Sequence, residues 1–133
     1  MIVRLDSTMP HYQLTDEGGV LESDYYAYTR IRGYRAQNAT VLLTKTGYLL
    51  LNKGYEWDFG TGAINTPAVI AASLIHDGLT DLIREDELPK STRKAIDKEY
   101  KRFLKLGGMS WFRRNYQYLV IRGYVKLIKP IFG

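Results

Sequence analysis

The chain has 133 residues, 45% of them hydrophobic and 25% charged, which supplies apolar side chain for one core and excludes a disordered, collagen-like or coiled-coil polymer. Its 19 Lys and Arg exceed its 14 Asp and Glu, for a net charge of +5, a mild basic balance that suits an anionic partner without requiring one. Cysteine is absent, so disulfide scaffolds, thiolate zinc sites, iron–sulfur clusters and cysteine nucleophiles are excluded, and a reducing cytosol fits best.

In chain order, residues 1–6 lack a long apolar h-region, and no run reaches the roughly 18 apolar residues of a spanning helix. Neither a secretory signal nor a transmembrane segment is expected. Residues 25–58 are dense in β-branched and aromatic types and read as strands. Over 25–32, Tyr25, Ala27, Thr29 and Ile31 alternate with Tyr26, Tyr28, Arg30 and Arg32, the period of a half-buried strand. Segments 39–43 and 48–51 flank Thr44-Lys45-Thr46-Gly47, whose glycine can take the positive φ of a hairpin. An antiparallel β-meander follows.

A glycine-containing loop over 59–66 changes the period from two to 3.6. Thr66-Pro67 is an N-cap followed by proline at the first helical position. The helix it opens, over 67–83, is apolar nearly all round and must be buried. A second helix is expected after Pro89 with Ser91 as cap, ending at Gly107-Gly108, with Ile96, Tyr100 and Phe103 as its apolar stripe and Asp97 at the stripe's edge, facing inward. A third runs over 110–129 and stops at Pro130. It carries two apolar rows, Phe112, Tyr116, Leu119, Val120, Gly123 and Leu127 against Tyr118, Ile121 and Val125, and both rows need burial. The architecture is α+β in one domain over 1–133: 1–58 mainly β, then the loop, then three helices over 67–133.

His76 and Asp77 interrupt the apolar run of the first helix. A carboxylate or imidazolium desolvated without partners costs several kcal/mol, so partners are expected. Adjacent helical residues diverge by about 100° and address different neighbours. Asp97 or Asp58 can supply the carboxylate that fixes the histidine tautomer. In the plainer reading the group ties loop to helices, with Asp77 accepting backbone N–H bonds from the glycine loop.

Gly54-Tyr55-Glu56-Trp57-Asp58, Pro67, Ala72-Ser73-Leu74-Ile75-His76-Asp77-Gly78-Leu79, Arg93-Lys94-Ala95-Ile96-Asp97, Tyr100 and Val120-Ile121-Arg122-Gly123 together resemble the bacteriophage and prophage family known as the thirteen-fifty-three domain of unknown function, over about residues 54–123. The loop is longer here than in that family, and Thr80 stands where the family has tyrosine. The resemblance implies a phage or prophage origin and brings no activity with it.

Two functions remain open. One is a virion-associated or assembly protein of a tail, baseplate or head surface, in the virion or the host cytoplasm, working through other phage structural proteins or self-association. Its 11 tyrosines suit interfaces, each pairing a large ring with a wet hydroxyl. The other is a small metal-assisted hydrolase, phospholipase-like in layout, with His76 as base, Asp97 orienting it, and Asp77 and Asp58 holding calcium or another divalent metal. On the protein-contact reading no cofactor is needed. The charge excess lies wholly in residues 110–133, which hold Arg113, Arg114, Arg122, Lys126 and Lys129 and no carboxylate. Arg122, Lys126 and Lys129 share a face that can meet an anionic surface. No nucleic-acid-binding motif accompanies them, so nucleic acid is not the expected partner.

Overall fold

The computed structural model describes residues 9–59 and 66–123. Most of the glycine loop lies outside the described residues, as does the stretch after residue 123 over which the third helix was expected to continue, with Lys126 and Lys129.

Among the described residues, seven short strands form two antiparallel sheets: β1 (Tyr12–Leu14), β2 (Gly18–Leu21), β3 (Tyr25–Tyr28), β4 (Ala36–Gln37), β5 (Val41–Leu43), β6 (Tyr48–Leu51) and β7 (Glu56–Asp58). The larger sheet has the order β3-β6-β5-β4 and the smaller β1-β2-β7. Of the strands expected over 25–32, 39–43 and 48–51, the last two pair as the hairpin β5-β6, β4 adds to the far side of β5, and β3 pairs with β6 and not with its successor in the chain, with Tyr25 opposite Leu51 and Tyr28 opposite Tyr48. Gly47 makes the β5–β6 turn at φ +93°, its N–H donating to Thr44 O at 3.0 Å. The period-two reading of 25–31 holds side chain by side chain. Tyr25, Ala27, Thr29 and Ile31 are buried, whereas Tyr26 and Tyr28 are exposed and their rings meet Tyr48 on the outer face.

The smaller sheet was hidden in the sequence by Gly18-Gly19, which lowers strand propensity. Aromatic cover explains the glycine: a Cβ on Gly19 would lie 3.1 Å from both the Trp57 and Tyr12 rings. Tyr12, Trp57 and Phe59 pack edge-on or tilted at 5.6–5.7 Å between centroids.

Three helices follow: α1 (Pro67–Arg84), α2 (Arg93–Leu106) and α3 (Trp111–Ile121). Thr66 caps α1, its side chain accepting from Val69 N at 3.4 Å, with Pro67 at the first position. As expected of a helix apolar all round, α1 is buried on two sides. Leu74, Ile75, Leu79 and Leu82 join Leu43, Leu49 and Leu51 of the sheet and Ile96 of α2 in one cluster. Val69 and Ala72 join Tyr100 and Leu104 in a second. Burying such a leucine contributes about 1.5–3 kcal/mol, so α1 is the element on which the sheet and α2 are both assembled.

Two expectations are corrected. Ser91 does not cap α2, because a 3-10 turn over Lys90–Thr92 precedes it and makes Thr92 the boundary residue. Thr92 instead turns its hydroxyl back to Pro89 O at 2.7 Å. Nor does α3 bury two apolar rows: among its described residues only Gln117 is buried, and Phe112 stands 65% exposed. The helix packs on α2, so one flank meets protein while the other faces out. The turn between them falls where expected, with Gly108 at φ +92° and Met109 N closing on Leu104 O at 3.0 Å.

Candidate functional site

The fold brings His76 of α1 and Asp97 of α2 together at 2.6 Å, Nε2 to Oδ1. An ionised carboxylate only accepts, so Nε2 carries the hydrogen and donates. Asp97 is 1% exposed and gathers more than the histidine. Arg93 Nε donates to the same Oδ1 at 2.8 Å, and Arg122 Nη1, one residue past α3, donates to Oδ2 at 3.0 Å. One buried carboxylate thus receives donors from the chain segments of all three helices. Burial alone raises its pKa, but the hydrogen bonds from His76, Arg93 and Arg122 outweigh it and hold the group below its ordinary value.

Asp77 faces the other nitrogen. Its Oδ1 is 3.9 Å from His76 Nδ1, an ion-pair distance and too long for a hydrogen bond. Asp77 Oδ2 accepts from Asp58 N at 3.2 Å. Asp58 therefore reaches the cluster through its backbone N–H at the end of β7, while its side chain belongs to the exposed surface. Burial lowers the pKa of His76, but the flanking Asp77 and Asp97 overcome that, and the net shift is upward. The shift favours an imidazolium that donates from Nε2 to Asp97 and sets its Nδ1 side toward the charge of Asp77. The Tyr100 ring lies edge-on to the imidazole at 5.4 Å between centroids, and burial, with the charge of Asp77, pushes its phenol up.

All four residues expected at the site are therefore in one neighbourhood, three by side chain and Asp58 by backbone. Arg93 and Arg122 are the members that the sequence did not place in the site. Arg93 sits four residues before Asp97, the spacing of a helical ion pair, and that signal could have found it. Arg122 carries no such signal. It was expected on an open basic face with Lys126 and Lys129, but its guanidinium is turned inward to Asp97, so the anionic-surface role loses its first member.

Asp58 and Asp77 also line a small polar cleft of about 170 Å³ with Tyr55, Asp81 and Arg84. There the Tyr55 hydroxyl donates to Asp81 Oδ2 at 2.5 Å, and Arg84 pairs with Asp81. Carboxylate oxygens suit a hard divalent cation, which takes six to eight oxygens if calcium. Among the described residues, however, no group of three or more His, Asp or Glu converges on a metal-sized point, so the donor set is short of a cage.

An orienting carboxylate raises the basicity of its histidine most when no other cation competes for it. Two guanidinium groups compete for Asp97. The arrangement is chemically better suited to pinning three helices than to activating a base, although Nδ1 still faces Asp77 at the edge of the cleft. Comparison with protein-family models, with curated proteins and with solved structures gives no match for this chain.

Proposed function

We propose that this is a phage-derived protein acting through protein–protein contacts in or around a virion, at a tail, baseplate or head surface, with the His76 cluster as a structural clasp. The observation that carries the reading is an apolar groove of about 540 Å³ on which Tyr28 and Leu106 stand open beside Phe103 and Ala71. Tyr28 is 67% exposed and Leu106 66%. Large apolar side chains gathered on one groove are a feature of protein-binding surfaces. The resemblance over residues 54–123 supports the phage origin, and the saturation of Asp97 supports a clasp. Mass spectrometry of purified phage particles tests it: the chain is expected in the particles, and Leu106→Ser with Tyr28→Ser is expected to remove it from them while leaving the protein folded. Particles that never contain the chain overturn the assignment.

One observation favours a second reading, a small hydrolase with a divalent metal. Asp58 and Asp77 share a cleft, and His76 Nδ1 faces Asp77 at its edge. On that reading His76 takes a proton from water, Asp97 orients it, and Asp77 and Asp58 supply oxygens to calcium or another divalent ion. Incubation with phospholipid and peptidoglycan, with and without calcium, beside His76→Ala decides it. Turnover that survives the substitution removes the proposed base.

A further inference from the structure

A second groove, of about 460 Å³, runs between α2 and α3, on other residues than the His76 cluster. Arg30, Lys98, Lys101, Arg102, Lys105 and Arg114 line it, and Glu99 is its one carboxylate. That carboxylate is not available to neutralise the groove. It is 4% exposed and already accepts from Arg102 Nη2 at 2.8 Å, Arg102 Nε at 3.1 Å and Arg30 N at 3.0 Å. The other cations are left without an acidic neighbour along the groove.

Their spacing is regular. Lys98, Lys101 and Lys105 fall three and four residues apart on one face of α2, a row about 10 Å long at the rise of an α-helix. Lys98 and Lys105 are exposed. Lys101 is steadied by Asn115 Oδ1 at 3.2 Å and by the Tyr118 ring, 4.6 Å from its centroid. On the same groove Trp111 stands 67% exposed. An indole left open at the edge of a cationic channel offers a flat π-face beside a line of positive charge.

We propose that this groove binds single-stranded nucleic acid, its phosphates following the Lys98, Lys101, Lys105 row with Arg114 and Arg30 flanking, and a base stacking on Trp111. The pairing of a cationic track with an aromatic platform is what sequence-tolerant single-strand binding needs. A duplex hides its base faces and leaves Trp111 without a partner. An acidic peptide would satisfy the charge but gives no reason for the open indole. The sequence pointed away from nucleic acid because no binding motif accompanies the cations of residues 110–133, where the charge excess lies. Folding places four α2 cations, Arg30 and Arg114 on one groove, although most of them belong to the charge-balanced part of the chain.

The test is fluorescence anisotropy of the full chain with a labelled oligothymidylate of about 15 nucleotides, at about 50 mM and about 200 mM salt. Affinity is expected to fall linearly in log salt, with a slope near −3 if four phosphates are neutralised. Trp111→Ala is expected to weaken binding about five- to a hundredfold at unchanged slope, whereas Trp111→Phe keeps most of it. Lys98→Glu with Lys105→Glu is expected to weaken binding at least tenfold and flatten the slope. Trp111, Lys98 and Lys105 are all exposed, so circular dichroism should show a folded protein in each variant. Three results overturn the proposal: no binding at the lower salt, equal or tighter binding of a duplex of the same length, or polyglutamate binding as tightly with no effect of Trp111→Ala. The last would mark the groove as a site for acidic proteins. None of these outcomes bears on the groove at Leu106, which the particle experiment tests separately.

Discussion

His76 and Asp97 meet at 2.6 Å across the α1–α2 interface, and the same Asp97 oxygen is shared with Arg93 while its partner oxygen holds Arg122. The carboxylate is therefore a junction. Its loss leaves an imidazole and two guanidinium groups without their common acceptor in a largely buried place. Breaking a buried ion pair by removing one partner costs about 3–5 kcal/mol, and Asp97→Ala is expected to fall in that range by urea unfolding. Arg93→Ala is expected to cost about 1 kcal/mol or less, since the Arg93 side chain is 47% exposed and water screens what it contributes. Equal losses for the two variants would show that Asp97 does not act as a shared acceptor.

The same junction sets a pH dependence of stability. The pKa of His76 is raised in the folded state above its ordinary value of 6.5, so its contribution is complete below pH 6.5 and fades as pH rises through the folded value. The pKa of Asp97 is lowered from 3.8, so its contribution is complete above that value and fades as pH falls through the lower folded one. Thermal unfolding across pH should show a plateau bounded on the alkaline side by the histidine and on the acid side by the aspartate. In His76→Gln the decline above pH 6.5 should vanish while the acid limb remains. An unchanged alkaline limb would assign that limb to another group.

How far the sequence reached depends on whether a contact is local. Thr66-Pro67, Gly47 and Gly107-Gly108 act on their own few residues, and each does what its chemistry dictates. The alternation over 25–31 and the all-round apolarity of α1 were readable because burial imposes a period on neighbouring side chains. Arg122 was not readable, because its partner is 25 residues away on another helix and no spacing rule links them. The open Phe112 was misjudged for the related reason that a second apolar row says what a helix can cover, not what is there to cover it. Gly18-Gly19 concealed a strand, since the Trp57 backbone that crowds Gly18 and the Trp57 and Tyr12 rings that crowd Gly19 come from elsewhere in the sheet.

Glu99 is the second buried carboxylate with a structural duty. It ties α2 to the chain just after β3, accepting from the Arg30 N–H, while Arg102, which it holds, also donates to Tyr28 O at 3.0 Å. Glu99→Ala should destabilise the protein by about 3 kcal/mol and expose the Arg30 amide to hydrogen exchange. Glu99→Gln retains one acceptor oxygen and should keep that amide protected at a smaller cost. Exchange at Arg30 that is as fast in Glu99→Gln as in Glu99→Ala would mean that the charge, and not the acceptor geometry, holds the turn.

Gly107, the residue that ends α2, lies against Ala68 of α1. A Cβ built on Gly107 would lie 2.6 Å from the Ala68 Cβ and 2.8 Å from its Cα, and backbone cannot swing aside as a leucine tip can. Gly107 has φ −84°, so its backbone is open to any residue and the constraint is purely one of space. Gly107→Ala should therefore cost about 1–3 kcal/mol, the usual range for overpacking, against a smaller gain in backbone entropy. Ala68→Gly removes the obstructing methyl and alone costs about 1 kcal/mol in helix propensity. Combined, the two substitutions should cost less than their sum, because the second makes room for the first. Additive costs in urea unfolding would show that the interface had already yielded elsewhere, and that the spacing of the two helices is not set by this pair.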